Sequence, residues 1–152
     1  MKSQSPYRDG VAVILYDEQM RVLVQARDEH AHLNPNKITF FGGAIESGEN
    51  PEQAAVREVS EELGIRITKP SLVTEIANFN NTSTTQYLLA VEISSRTLSA
   101  LSKEQPREGR AALILTKPLD TCETYKKYKH SFAPFIVEAI LFFWERFEKK
   151  YI

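Results

Sequence analysis

The segment GGAIESGENPEQAAVREVSEELGI, residues 42–65, decides how the rest of the chain is read. Its centre carries the punctuation of a helix. Asn50 is a natural N-cap, Pro51 suits the first helical position, Gln53 can close a capping box, and Gly64 supplies a left-handed stop. A helix is therefore predicted from Pro51 to Leu63. At about 100° per residue, Ala55, Val56, Val59 and Leu63 fall in one arc. Glu58, Glu61 and Glu62 fall in a second arc, read as lying mostly on the opposite side, with Arg57 at its flank. Three carboxylates within two turns repel one another, and Arg57 is the one cation in this stretch of sequence. A solvated surface tolerates such a cluster. A hard divalent cation would use it, because magnesium takes oxygen ligands and keeps some of its waters. Gly42 and Gly43, just ahead, would let a backbone carbonyl approach a metal without side-chain obstruction. Glu49 lies in the turn that enters the helix.

On either side of this segment the pattern is that of a sheet. Residues 11–16 are a continuous apolar run, as in a strand buried on both faces. A turn at 17–20 and a second strand at 21–27 complete a predicted hairpin. Residues 28–37 read as a loop, and 38–41 as a short strand leading into the glycines. Beyond the helix, strands are expected near 72–79, at 85–93 with Tyr87, Leu89, Val91 and Ile93 alternating to one face, and at 111–115. Residues 94–110 read as a polar loop, and 117–125 as the place of a short helix. Ser131 is the expected cap of a final helix, with Pro134 in its first turn and Phe132, Ile136, Ile140, Phe143 and Phe147 as a packing stripe. Strands, a helix, further strands and a closing helix make a mixed α/β pattern with helices covering a sheet.

The chain has 152 residues, 42% hydrophobic and 26% charged, which fits one soluble domain over residues 1–152. A net charge of −1 gives no basic field to hold a nucleic-acid backbone, though a nucleotide needs only a local site. Cys122 is the single cysteine, so no intramolecular disulfide is possible and a reducing compartment is expected. The start of the chain has no signal-like segment. The apolar stretch 132–147 contains Glu138, Glu145 and Arg146 and is too short to span a bilayer. A cytoplasmic protein with no membrane partner is expected, and the apolar final helix leaves a homodimer open.

Written as spacing, the central segment is Gly43, five residues, Glu49, seven residues, Arg57-Glu58-Val59, one residue, Glu61-Glu62, one residue, Gly64-Ile65. This resembles the Nudix box at every specified position. A chance match to seven identities and two apolar sites is on the order of one in ten million at average composition, so the signal is specific. The box covers about a seventh of the chain, and the order of the remaining elements agrees with the family. The family often has proline before the two glycines, where this chain has Phe41.

The resemblance implies an α/β/α sandwich with a mixed β-sheet and a diphosphohydrolase. Its substrate would be a nucleoside diphosphate derivative: a nucleoside triphosphate, a dinucleoside polyphosphate or a nucleotide sugar, with no nucleic-acid polymer. It implies Mg²⁺, with Mn²⁺ able to substitute, held by Glu58, Glu61 and Glu62 and by the Gly42 backbone. Glu58 is the first choice for general base, oriented by Arg57 and Glu49. The late-loop acid of the family points to Glu108, with Glu104 second. Arg27 is a candidate for a phosphate. Phe79 and Tyr87, and after them Phe40 and Tyr7, are candidates for stacking on a base, and Asn78, Asn80 and Asn81 for reading its edges. The alternative within the same fold is a module that binds a nucleotide without turning it over. Such modules tend to lose box glutamates, and this chain keeps them all.

Overall fold

The apolar run becomes β1 (Gly10–Tyr16), buried at every position but the half-buried Ala12. The structure, a computed structural model, describes residues 8–31, 35–104 and 110–148. β1 passes into β2 (Val22–Arg27) through a turn built by Asp17. This fully buried carboxylate accepts from the Gln19 and Arg21 amides at 3.1 and 3.0 Å, from Arg21 Nε at 2.8 Å and from Ser95 Oγ at 2.9 Å. Burial alone would raise its pKa. The bonds from Arg21 and Ser95 outweigh burial and hold the carboxyl below its ordinary value.

The chain divides into two compact units. One is formed by residues up to Val13 with Phe41–Val91, the other by Ile14–Phe40 with the residues from Glu92 onward. In the first, β4 (Phe41–Ala44) runs antiparallel to the start of β1, from Gly10↔Ala44 to Val13↔Phe41. β5 (Ser71–Ile76) and β6 (Gln86–Glu92) form an antiparallel pair whose register shifts between Leu72 and Thr74. α1 (Pro51–Leu63) packs on β4.

In the second unit, β2 pairs antiparallel with the end of β1. β3 (Ile38–Thr39) pairs with β2 through Gln25↔Thr39 and Ala26↔Ile38. β7 (Arg110–Leu115) pairs with β2 along its whole length, from Val22↔Leu115 to Arg27↔Arg110. The core of this unit includes Ile140 and Phe143, fully buried on α4 (Ile136–Glu148). Phe143 lies 4.9 Å from the Tyr16 ring and 4.6 Å from the Phe147 ring, and Trp144 Nε1 donates to Met20 O at 2.8 Å. The short segments α2 (Ser95–Lys103) and α3 (Glu123–Tyr128) complete the helices.

Gly10 N donates to Thr85 O, and Ile93 N donates to Tyr16 O. Both numbers rise together, so β6 runs parallel to its neighbour β1 while the other pairs are antiparallel. The result is the mixed sheet with helices that the sequence predicts. Cys122 is buried, as expected of a small core residue.

Four local expectations are corrected. The predicted polar loop at 94–110 contains α2. Ser94 caps it by accepting from Thr97 N at 3.0 Å, and Leu98 and Leu101 are buried. The final helix begins at Ile136, not after Ser131. Phe132 instead bridges in parallel to Ile38, and Phe135 takes φ 71°. β6 is covered on both faces, since Leu88 and Ala90 are buried along with Leu89 and Val91. β5 stops at Ile76, and Phe79 sits in a 3₁₀ turn, Phe79–Asn81. Among the described residues, no helix is long and apolar enough to cross a membrane.

Candidate active site

α1 has the limits its caps predict. Asn50 Oδ1 accepts from Gln53 N at 2.8 Å, Gln53 Oε1 accepts from Asn50 N at 2.9 Å, and Gly64 closes the helix at φ 69°. Its orientation differs from the projection. The buried set is Ala54, Ala55, Val59 and Leu63, while Val56 is only half-buried. With Ala54 inside, Glu58 falls between two packed alanines around the helix axis and Glu62 beside one of them. The carboxylates are therefore not opposite the packed face. Glu58 and Glu62 stand at the seam between α1 and β4, and Glu61 is exposed beside Arg57.

Small residues on both sides make that seam close. A Cβ placed on Gly43 would lie 2.5 Å from Glu58 Oε1, so the absent side chain is the space the Glu58 carboxylate occupies. Gly42 has φ 150°, and a Cβ there would lie 2.0 Å from the Val11 carbonyl oxygen on β1. This is a position for glycine alone. Gly42 N donates to Glu62 Oε2 at 3.2 Å.

Arg57 organises the rest. Its Nε and Nη2 make paired bonds to the two oxygens of Glu49 at 2.8 and 2.9 Å, the fork geometry that suits a carboxylate. Nη2 also donates to Ala44 O at 2.9 Å, and Nη1 donates to Glu58 at 2.9 Å and to Glu61 at 3.3 Å. Glu46 adds a carboxylate at 3.6 Å. The bonds from Arg57, followed by the Glu46 amide, hold the Glu49 carboxyl below its ordinary value, and the Glu49 bonds raise the Arg57 pKa further. The guanidinium stays charged, and the turn before the helix is tied to the face of the helix. Neither Ala44 O nor Glu46 was expected here. A backbone carbonyl has no side-chain signature in a sequence, and Glu46 occupies an unspecified position of the box.

Glu46, Glu49, Glu58 and Glu61 set four carboxylates around one guanidinium, and Glu62 adds a fifth beside the Gly42 amide. An all-oxygen donor set with this excess of negative charge fits a hard divalent cation in kind. Among the described residues no three acidic, cysteine or histidine side chains already converge on one point. Glu58 and Glu61 engage Arg57 while Glu62 engages Gly42.

The other expected residues are distributed as follows. Phe79, in the turn after β5, and Tyr87, opposite Glu75 on β6, are half-buried and belong to the same unit as the glutamates. Arg27 ends β2 opposite Arg110, in the other unit. Glu104 is an exposed residue ending α2. Phe40 is buried, so packing accounts for its ring. Asn78 and Asn81 are exposed at φ 53° and 60°. Glu108, Tyr7 and the side chain of Asn80 lie outside the described residues.

The family model described as NUDIX domain matches residues 6–112. The chain belongs to the Nudix family. Over 52 residues it is 48% identical to the 8-oxo-dGTP diphosphatase of Escherichia coli (strain K12), covering 34% of this chain and 40% of that protein. Over 61 residues it is 39% identical to the RNA pyrophosphohydrolase of Rhodospirillum rubrum, covering 40% and 34%. The matches thus span two fifths or less of the length of these curated relatives. A crystal structure of a mutT/nudix family protein from Listeria innocua aligns with a TM-score of 0.73 over 97% of this chain and 98% of its own, at 11% identity. That likeness is one of fold, and the mixed sheet with its helices is the Nudix fold.

Proposed function

We propose that the chain is a metal-dependent diphosphohydrolase that cleaves the diphosphate linkage of a small nucleoside diphosphate derivative. The observation that carries this reading is the seam between α1 and β4, where Glu58 is seated on Gly43, Glu62 is held by the Gly42 amide, and Arg57 is locked to Glu49. Glu58, Glu61 and Glu62, with the Gly42 carbonyl, would hold Mg²⁺, or Mn²⁺ in its place. A cation bound there would neutralise phosphate charge and lower the pKa of a coordinated water. Phosphoryl transfer asks for such placement more than for covalent help from the protein. Glu58 is our choice of general base, and Arg57 and Glu49 are positioning residues that aim it. Phe79 and Tyr87, in the same unit as the glutamates, would stack on the base. The relatives named above, a diphosphatase and a pyrophosphohydrolase, support the reaction class. The net charge of −1 favours a small substrate over a polymer, and the single cysteine favours a cytoplasmic setting.

The test is a panel of 8-oxo-dGTP, nucleoside triphosphates, dinucleoside polyphosphates, nucleotide sugars and RNA with a 5′-triphosphate, each with Mg²⁺ or Mn²⁺. Released phosphate, pyrophosphate and nucleoside monophosphate are read out. Glu58→Gln and Glu62→Gln should each lower turnover by about 10²-fold or more while the folded state persists. Full activity in both variants would refute the assignment of the glutamates. Saturable binding of one nucleotide with no turnover would replace the hydrolase by a binding module.

A further inference from the structure

Gln25 is an unexpected residue in the core. It lies in the middle of β2 at 1% exposure, directly after the fully buried Val22, Leu23 and Val24. Its Nε2 donates to Phe40 O at 2.7 Å, and its Oε1 meets no donor among the described residues. A buried carbonyl without a donor is destabilising, and an apolar side chain of the same volume would fill the space without that cost. Packing therefore does not explain the residue.

Its bond does. Gln25 faces Thr39 in the register of β2 and β3, and the Thr39 hydroxyl donates to the same Phe40 oxygen at 3.2 Å. Two donors occupy both lone pairs of that oxygen. Phe40 is the residue at which β3 has ended and β4 has not begun. The Phe40 carbonyl and the Phe41 amide are two ends of one planar peptide. Holding the oxygen sets the direction in which β4 starts, at a position where Phe41 has no proline ring to restrict the backbone. The next residues are Gly42, whose amide holds Glu62, and Gly43, which seats Glu58.

We propose that Gln25 is a positioning residue of the hydrolytic site, fixing the Phe40–Phe41 peptide so that Gly42 and Gly43 meet Glu62 and Glu58. The inference rests on reading those glutamates as the hydrolytic site. Gln25→Met removes both the donor and the unsatisfied oxygen at similar volume. In this variant the melting temperature should equal or exceed that of wild type, and the Gly42 amide resonance should move in the ¹H–¹⁵N spectrum. The kcat for the best substrate of the panel should fall roughly 10- to 100-fold with KM little changed. An unmoved Gly42 resonance with unchanged kcat would overturn the proposal. Gln25→Glu supplies a second arm that stands even where the methionine variant does not fold. Its carboxyl donates to Phe40 O only when protonated, so the ratio of its kcat to that of wild type should rise as pH falls, and a pH-independent ratio would overturn the proposal. Should no substrate turn over in wild type, the hydrolase reading fails, while the Gly42 resonance still decides the role of Gln25.

Discussion

Gly42 and Gly43 are neighbours that make different demands, and the difference separates folding from activity. At Gly42 the obstacle to a side chain is backbone: the Val11 carbonyl lies 2.0 Å from the added Cβ, and φ is 150°. Neither can yield without parting β4 from β1. Gly42→Ala is therefore expected to cost about 3 kcal/mol or more. At Gly43 the obstacle is the far end of the Glu58 side chain, 2.5–2.8 Å away, with no positive φ to add strain. Glu58 can swing aside, so Gly43→Ala should fold with a melting temperature close to wild type and lose roughly 10²-fold in kcat through a misplaced carboxylate. Thermal melts and steady-state kinetics on the two variants check both halves. A Gly43→Ala enzyme with wild-type kcat would show that the seating of Glu58 has no catalytic consequence. The identity of these glycines is plain in the sequence. Which of them guards a backbone and which guards a carboxylate depends on the spacing of strand and helix, which no local pattern encodes.

Helix α1 was legible because its limits are set by near neighbours: Asn50 with Gln53 at one end, Ser60 with Gly64 at the other. Helix α2 was not, because Ser95, Thr97, Ser99 and Ser102 have weak helix propensity and its apolar contribution is Leu98 and Leu101. Burial of those two leucines stabilises a helix that its own propensities do not. The start of α4 was misplaced for a related reason, since Phe132 answers to a strand contact with Ile38 rather than to the helical stripe. The link from the turn at Glu49 to the face of α1 also bears on pH. The Glu49 pKa is depressed in the folded state, mainly by Arg57. Its contribution is therefore full above the ordinary carboxylate value of 4.5 and is lost as pH falls through the lower folded value. Arg57→Met removes the contribution at all pH values. The gap in melting temperature between wild type and this variant should be widest near neutral pH and should narrow below about pH 4.5. Melts across the acid range test it, and a gap that stays constant or widens on acidification would contradict the Arg57–Glu49 link as its source.

The mixed sheet and the α/β class were readable from strand-like runs on either side of one capped helix, and the box residues identified the family. The hairpin of β1 and β2 was readable from its short turn and is present, but the other pairings were not, because antiparallel partners such as Val13 and Phe41 or Val22 and Leu115 meet across long stretches of chain. The course of β1 is another feature that only the structure reveals. Gly10–Val13 pair with β4 in one compact unit, and Leu15 and Tyr16 pair with β2 in the other. A seven-residue strand divided between units leaves three or four residues to each, near the lower end of strand length. Releasing either half strips hydrogen-bond partners from a continuous, buried backbone segment. Thermal unfolding is therefore expected to be one cooperative transition and not two. The chain carries suitable reporters. Trp144, its single tryptophan, lies in one unit, donating to Met20 O, and the α1 amides lie in the other. The midpoint from Trp144 fluorescence should coincide with that from loss of amide signals at Ala55 and Val59. Midpoints separated by more than the error of measurement would show that β1 does not couple the units, and that each holds its share of the strand alone.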